Sequence, residues 1–166
     1  YRGPTPLFWI AHQGEERSGV TLHFLDEGID SGDIVTQVEF DLPLGISEFD
    51  LTMLCADYGA TLLVEALQDV LVASLPRRPQ RNGGRYFLAP SQTDFEIDTT
   101  WPAQRAFRFL RGANRWPLTI KTGDTDIIVD TALDYLPEAQ LAQPILVTKD
   151  ECWLQMTPGV LKIRMK

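Results

Sequence analysis

Ser18-Gly19-Val20-Thr21-Leu22-His23-Phe24-Leu25-Asp26-Glu27-Gly28-Ile29-Asp30-Ser31-Gly32-Asp33-Ile34-Val35 is the stretch on which the reading of this chain turns. Val20, Leu22 and Phe24 alternate with Thr21 and His23, the period of two that marks a half-buried strand. A second alternating run, Ile34, Thr36, Val38 and Phe40 against Val35 and Gln37, predicts another strand from Asp33 to about Phe40. Between them, residues 26–33 hold four carboxylates (Asp26, Glu27, Asp30, Asp33) and two glycines. Turns use Asp and Gly for local side-chain bonds and positive φ, but a plain turn does not need four acids. An acidic loop at the end of a core strand is where an α/β fold sets its chemistry. The loop is therefore the first site candidate, and by itself it names no reaction.

On the N-terminal side, Pro4 and Pro6 suit a helix start, with Leu7, Phe8, Ile10 and Ala11 as its apolar stripe. Trp9 reads as a further core-facing residue, and Gly14 as the C-terminal cap. On the other side, Asp41 to Gly45 is a turn and Ser47 an N-cap. The longest helix follows, from Glu48 to about Ala73, with Glu48 and Asp50 at the positive end of its dipole. Leu51, Leu54, Cys55, Tyr58, Leu62, Val64, Leu67 and Leu71 read as one core-facing stripe. Pro76 to Arg85 then carries two prolines, two glycines and four arginines. That composition predicts a solvated linker over 76–93, its basic run also suiting a phosphate-bearing ligand.

The second half opens near Asp94 with an amphipathic helix from Trp101 to about Leu110, capped by Gly112. Short alternating runs follow at Leu118–Lys121, Asp126–Asp130, Ile145–Thr148, Cys152–Met156 and Val160–Met165. Thr122-Gly123-Asp124 and Pro158-Gly159 punctuate them. Regularly spaced short strands predict a small β-barrel. The expected class is α/β, with residues 1–75 as one part, 76–93 as linker and 94–166 as a second, β-rich part.

Composition bounds the function. Of 166 residues, 44% are hydrophobic and 23% charged, enough for a real core. No apolar run approaches the roughly 18–20 residues that span a bilayer, so no membrane role is expected. The net charge of −8 argues against generic nucleic-acid binding, without excluding a local basic patch. Cys55 and Cys152 form no C-x-x-C pair and no disulfide framework, which points to a reducing cytosol. His12 and His23 are the only histidines, and nothing has metal-ligand spacing, so no metal is expected.

Several segments carry a resemblance. Tyr1-Arg2-Gly3-Pro4-Thr5-Pro6-Leu7-Phe8-Trp9, Gly14-Glu15, Ser18 to His23 and Asp26-Glu27-Gly28-Ile29-Asp30-Ser31-Gly32-Asp33-Ile34 resemble the folate-dependent formyltransferases. That family includes methionyl-tRNA, sugar-nucleotide and glycinamide-ribonucleotide formyltransferases. Asp94 to Asp98, Pro102-Ala103, Arg111-Gly112 and Trp116-Pro117 are similar to the C-terminal barrel of some members. The resemblance implies a Rossmann-like catalytic domain that passes formyl from 10-formyltetrahydrofolate to a primary amine. It implies a catalytic Asn, a His two residues on, and an Asp that falls on Asp30. It places Asp26, Glu27, Gly28 and Ile29 beside the cofactor and His23 where some members support the aspartate.

The chemistry agrees with those roles. Formyl transfer builds negative charge on an oxygen, which amide and imidazolium donors stabilise. The attacking amine must lose a proton, and a carboxylate favours a cationic neighbour and helps move that proton. In the family the Asn and His precede a segment ending in the Tyr-Arg-Gly of residues 1–3, so the chain is expected to be a C-terminal portion, inactive alone. The excess of acids favours an amino-sugar nucleotide or other small amine as acceptor. A two-part layout keeps methionyl-tRNA open, and a non-catalytic binding domain derived from the family is the third reading. Arg2 reads either as an anion contact or as a loop anchor.

Overall fold

The structure, a computed structural model, describes residues 1–72, 74–80, 84–123 and 125–166. Ala73 at the expected end of the long helix, Arg81-Asn82-Gly83 of the linker and Asp124 of the tight turn lie outside the described residues. The elements run α1 (Pro6–Gln13), β1 (Arg17–His23), β2 (Ile34–Asp41), α2 (Glu48–Val72), a short 3-10 turn (Gln92–Phe95), β3 (Glu96–Asp98), α3 (Ala103–Gly112), β4 (Thr119–Lys121), β5 (Asp126–Leu136), β6 (Ile145–Thr148), β7 (Glu151–Gln155) and β8 (Val160–Met165). The class is α/β. β1 and β2 form an antiparallel hairpin, and the other strands a six-stranded sheet of order β3-β4-β5-β8-β7-β6. Only the β3–β4 pair of that sheet is parallel.

Local chemistry explains the helix ends. Gly14 caps α1 in the left-handed conformation, at φ +72°. Ser47 Oγ accepts from the Asp50 amide at 3.1 Å, opening α2 as expected of an N-cap. Gly112 is not the cap of α3. It is the last helical residue, and a Cβ there would lie 2.7 Å from the Ala11 Cβ. The missing side chain lets α1 lie against α3.

That approach makes α1 a shared element. Phe8 and Ala11 join α3 and the six-stranded sheet in the main core, beside Phe109, Leu110, Ile120 and Ile163. Ile10 turns the other way, into a smaller core with Phe40 and Leu51. Trp9 packs against the main core and donates its indole N–H to the Leu88 carbonyl at 2.9 Å.

The stripe expected along α2 is buried only in part. Leu51 and Leu62 are buried, and Leu54, Cys55 and Tyr58 pack on the smaller core. Val64, Leu67 and Leu71 are exposed, Leu71 by 84%. The hairpin covers the early turns of α2, and of the late turns after Leu62 only Ala66 is buried among the described residues. Two strand expectations also change. β5 continues to Leu136, past the Asp130 end expected from alternation, and β3 had no sequence signal.

Candidate functional site

The loop between β1 and β2 is built by backbone closure and by its own carboxylates. The Phe24 amide donates to the Asp33 carbonyl at 2.9 Å, pinning the two ends of the loop. Inside it, Asp26 Oδ1 accepts from the Gly28 amide at 3.0 Å and from Ser31 Oγ at 2.9 Å. Asp26 thus folds the loop tip, the self-bonded turn its side chain favours. Gly32 admits no side chain, because a Cβ would fall 1.8 Å from the Phe24 carbonyl oxygen. The loop therefore crosses directly over the end of β1.

Asp30 has φ +55° and is the one non-glycine residue in the left-handed region among the described residues. Asp tolerates that region better than most, yet a strained non-glycine residue persists only where its surroundings hold it. The half-buried Asp30 is held twice. Its Oδ2 accepts from the Gly3 amide at 3.1 Å, and its carbonyl accepts from Gln80 Nε2 at 3.1 Å. Gly3 sits at φ +117°, and a Cβ there would lie 2.1 Å from the Phe87 carbonyl oxygen. No L side chain fits that position without moving the backbone.

The other expected site residues divide into groups. His23 donates through its Nδ1–H to the Phe24 carbonyl at 2.8 Å. It lines an open apolar pocket of about 170 Å³ between the hairpin and α2, together with Leu22, Val35, Leu63 and Leu67. A β-bulge between Leu22 and His23 breaks the alternation here, so both side chains are half-buried. Glu27, Gly28 and Ile29 stand at the exposed tip, with Ile29 70% and Leu25 94% exposed. Asp33 pairs with Arg77 at 3.5 Å.

The segment expected to be a solvated linker lies along this site. Arg78 bridges Ile34 through two backbone bonds of 2.8 and 3.0 Å. The Arg77 guanidinium stacks 3.8 Å above the Phe24 ring, and Arg78 donates to the Gln37 side chain at 3.0 Å. Farther on, Arg2 and Tyr86 form a parallel bridge, and the Phe87 ring stacks on Tyr1 at 4.9 Å. Arg2 therefore takes the anchoring role, its guanidinium donating to Gln80 Oε1. Burial and the Glu15 carboxylate push the Tyr1 phenol well above its usual range, keeping it neutral. Among the described residues, no group of three or more His, Cys, Asp or Glu side chains could hold a metal, and no helix is long and apolar enough to cross a membrane.

Gln80 and the Gly3 amide are the site components that sequence reading passed over. Each acts across a long separation, 50 residues for the Gln80–Asp30 bond and 27 for Gly3–Asp30. Only the positive φ demanded of Gly3 leaves a trace in the sequence, as a glycine.

Residues 1–67 match the formyl transferase family. A methionyl-tRNA formyltransferase from Clostridioides difficile is 31% identical over 169 aligned residues, covering 98% of this chain and 54% of that relative. Among solved structures, an N-formyltransferase from Helicobacter canadensis, in complex with folinic acid and dTDP-3-aminofucose, aligns with a TM-score of 0.79. That alignment has 20% identity and covers 99% of this chain and 61% of the other. HypX from Aquifex aeolicus aligns with a TM-score of 0.71 at 17% identity, over 98% of this chain and 30% of HypX. Over residues 1–67 the chain belongs to the formyl transferase family, and as a whole it spans about half the length of the curated methionyl-tRNA formyltransferase it matches.

Proposed function

We propose that this chain supplies the carboxylate corner of a formyl-transfer site, with Asp30 as the catalytic residue and a primary amine as acceptor. One observation carries the reading. Asp30 is fixed in a strained left-handed backbone by Gly3 and Gln80, while its Oδ1 accepts no hydrogen bond among the described residues. A carboxylate oxygen left free on a fixed backbone is placed to take a proton from an incoming amine.

The loop tip suits the formyl donor. Leu25 and Ile29 are uncovered apolar side chains next to the exposed Glu27, a mix that fits a flat ring with polar edges. Asp26, Glu27, Gly28 and Ile29 would hold 10-formyltetrahydrofolate there. When bound, that donor supplies a formyl carbon already activated on nitrogen. Asp30 accepts the proton that the amine releases as it becomes an amide. His23 Nδ1, 3.5 Å from where a Cβ on Gly32 would stand, supports the loop end through its bond to the Phe24 carbonyl. The remaining catalytic Asn and His lie outside these 166 residues on this reading, so the chain alone is inactive. The division into 1–75, 76–93 and 94–166 belongs to the same proposal.

The acceptor that fits an acidic chain is an amino-sugar nucleotide or another small amine. Similarity to the C. difficile methionyl-tRNA enzyme supports methionyl-tRNA as the second reading. The test is transfer of labelled formyl from 10-formyltetrahydrofolate in the full-length protein carrying this chain, offered a dTDP-amino sugar and methionyl-tRNA in turn. Asp30→Asn lowers turnover by about 10²–10⁴-fold, the range of general acid–base catalysis. Near-normal turnover of Asp30→Asn rejects the assignment. No transfer to any amine by the unmodified protein leaves the non-catalytic domain as the correct reading.

A further inference from the structure

We infer that Gln80, on the segment joining the two halves, is a positioning residue for Asp30. The inference rests on the proposed catalytic role of Asp30. The carboxamide of Gln80 commits both of its N–H donors and one acceptor site to one place. Nε2 donates to the Asp30 carbonyl at 3.1 Å and to the Gly32 carbonyl at 2.7 Å, and Oε1 accepts from the Arg2 guanidinium. One planar group thus ties together the loop residue under strain, the glycine that crosses β1, and the start of the chain.

Each tie matters to the direction in which Asp30 points. The Asp30 and Gly32 carbonyls flank the Ser31 peptide, so two donated bonds fix the backbone on both sides of it. Arg2 is adjacent to Gly3, whose amide holds the Asp30 carboxylate itself. Gln80 therefore clamps Asp30 from its backbone and, through Arg2, from its side chain. The segment carrying Gln80 is anchored on either side, by the Arg78–Ile34 bridge before it and the Arg2–Tyr86 bridge after it. Gln80 itself is half-buried and its bonds are partly shielded from water. No other residue type serves as well. Glu lacks the two donors, Lys lacks the acceptor, and Asn is one methylene too short to reach both carbonyls from the same backbone position.

Two substitutions separate this role from simple folding. Gln80→Glu keeps the size and the Arg2 contact but turns both donated bonds into repulsions. Gln80→Met keeps the volume and removes all three bonds, and it keeps the inference testable if the charged variant fails to fold. The first readout is amide hydrogen exchange, which does not depend on activity. Exchange at Gly3 accelerates about tenfold in both variants, the change expected from losing one charge-assisted bond's worth of order. The Phe87 and Arg78 amides, which the anchoring bridges hold, keep their rates. The second readout is formyl transfer by the full-length protein. Turnover falls about 10²-fold, as a small misplacement of a catalytic group costs, while KM for the amine stays within about twofold.

Unchanged Gly3 exchange in both variants overturns the clamp, whatever Asp30 does. Faster exchange with unchanged turnover, in a protein that Asp30→Asn inactivates, shows a clamp without a positioning role and overturns the inference. Normal turnover in Asp30→Asn instead removes the catalytic reading on which it rests. A rise in KM with turnover intact assigns Gln80 to substrate binding and overturns positioning as well.

Discussion

Phe8→Ala tests whether the two halves of the chain share one core. Phe8 belongs to α1, near the N-terminus, yet it is 1% exposed and surrounded mainly by residues more than 80 positions away. Its ring meets Phe109, Trp116 and Phe95 edge-on, at centroid distances of 5.6, 5.3 and 5.9 Å. Truncating a fully buried Phe costs about 3–5 kcal/mol, because the transfer energy is lost and a cavity remains. The high end applies here, since the rings around Phe8 are fixed by one another and cannot collapse into the space. Domains of this size are stable by only about 5–15 kcal/mol, so the loss is a large fraction of the whole. With a urea m-value of about 2 kcal/mol/M, a loss of about 4 kcal/mol lowers the midpoint by about 2 M. Urea unfolding followed by circular dichroism measures that shift, and hydrogen exchange locates it. The Ile120, Val129 and Ile163 amides of the six-stranded sheet should exchange faster in Phe8→Ala. A midpoint shift below about 0.5 M, with those amides unchanged, would refute the shared core.

Three further outcomes follow from particular contacts. Gly112→Ala is destabilising by about 1–3 kcal/mol in thermal unfolding, although Ala is the better helix former, because its Cβ would press on the Ala11 Cβ at 2.7 Å. A gain in Tm would show that α1 and α3 can separate freely. Burial among Phe8, Trp9, Trp101 and Phe109, then the Arg105 charge, lowers the His12 pKa from 6.5, with Asp94 opposing. The neutral ring is the form the fold prefers, so His12's contribution is present above about pH 6.5 and is lost as the pH falls through its folded value. Tm measured from pH 5 to 7.5 should rise with pH, and His12→Phe should flatten that rise. Glu48 behaves oppositely. Burial raises its pKa from 4.5 against the pull of Arg115, 2.7 Å away, so its contribution is present below about 4.5 and is lost as the pH rises through the folded value. Glu48→Gln should therefore be no less stable than the parent at pH 7, and a clear loss there would mean that the ion pair outweighs the burial.

What the sequence revealed was what neighbouring residues decide together. The strands flanking the acidic loop, the Gly14 cap and the Ser47 cap all depend on residues within a turn or a pleat of one another. β5 was cut short because its later half carries register shifts between Val129 and Thr131 and between Ala132 and Asp134, which break the alternation that marks a strand. β3 is three residues long and exists through its pairing with β4, so no local pattern could announce it. Along α2 the period was right and the burial was not, because periodicity says which residues share a face and not which turns of that face are covered. The same limit governs the site. The carboxylates of residues 26–33 were visible as a cluster, whereas Gly3 and Gln80 reach Asp30 only through the fold.

Those long-range ties also explain why a β-rich second half matters to a loop in the first. Asp30 bonds to Gly3, and Gly3 leads within three residues into α1, whose Phe8 is locked into the core of the six-stranded sheet. From the other side, the chain passes from the anchoring Tyr86 and Phe87 through the 3-10 turn into β3 of the same sheet. The loop is thus fastened to the sheet by two routes that meet at Arg2, where the Phe87 amide donates to the Arg2 carbonyl at 2.9 Å. A carboxylate with the role proposed for Asp30 has to be held to within a fraction of an ångström, and a two-stranded hairpin is at best marginally stable by itself. The six-stranded sheet supplies the rigidity that the hairpin lacks, which gives the second half a structural part in holding Asp30.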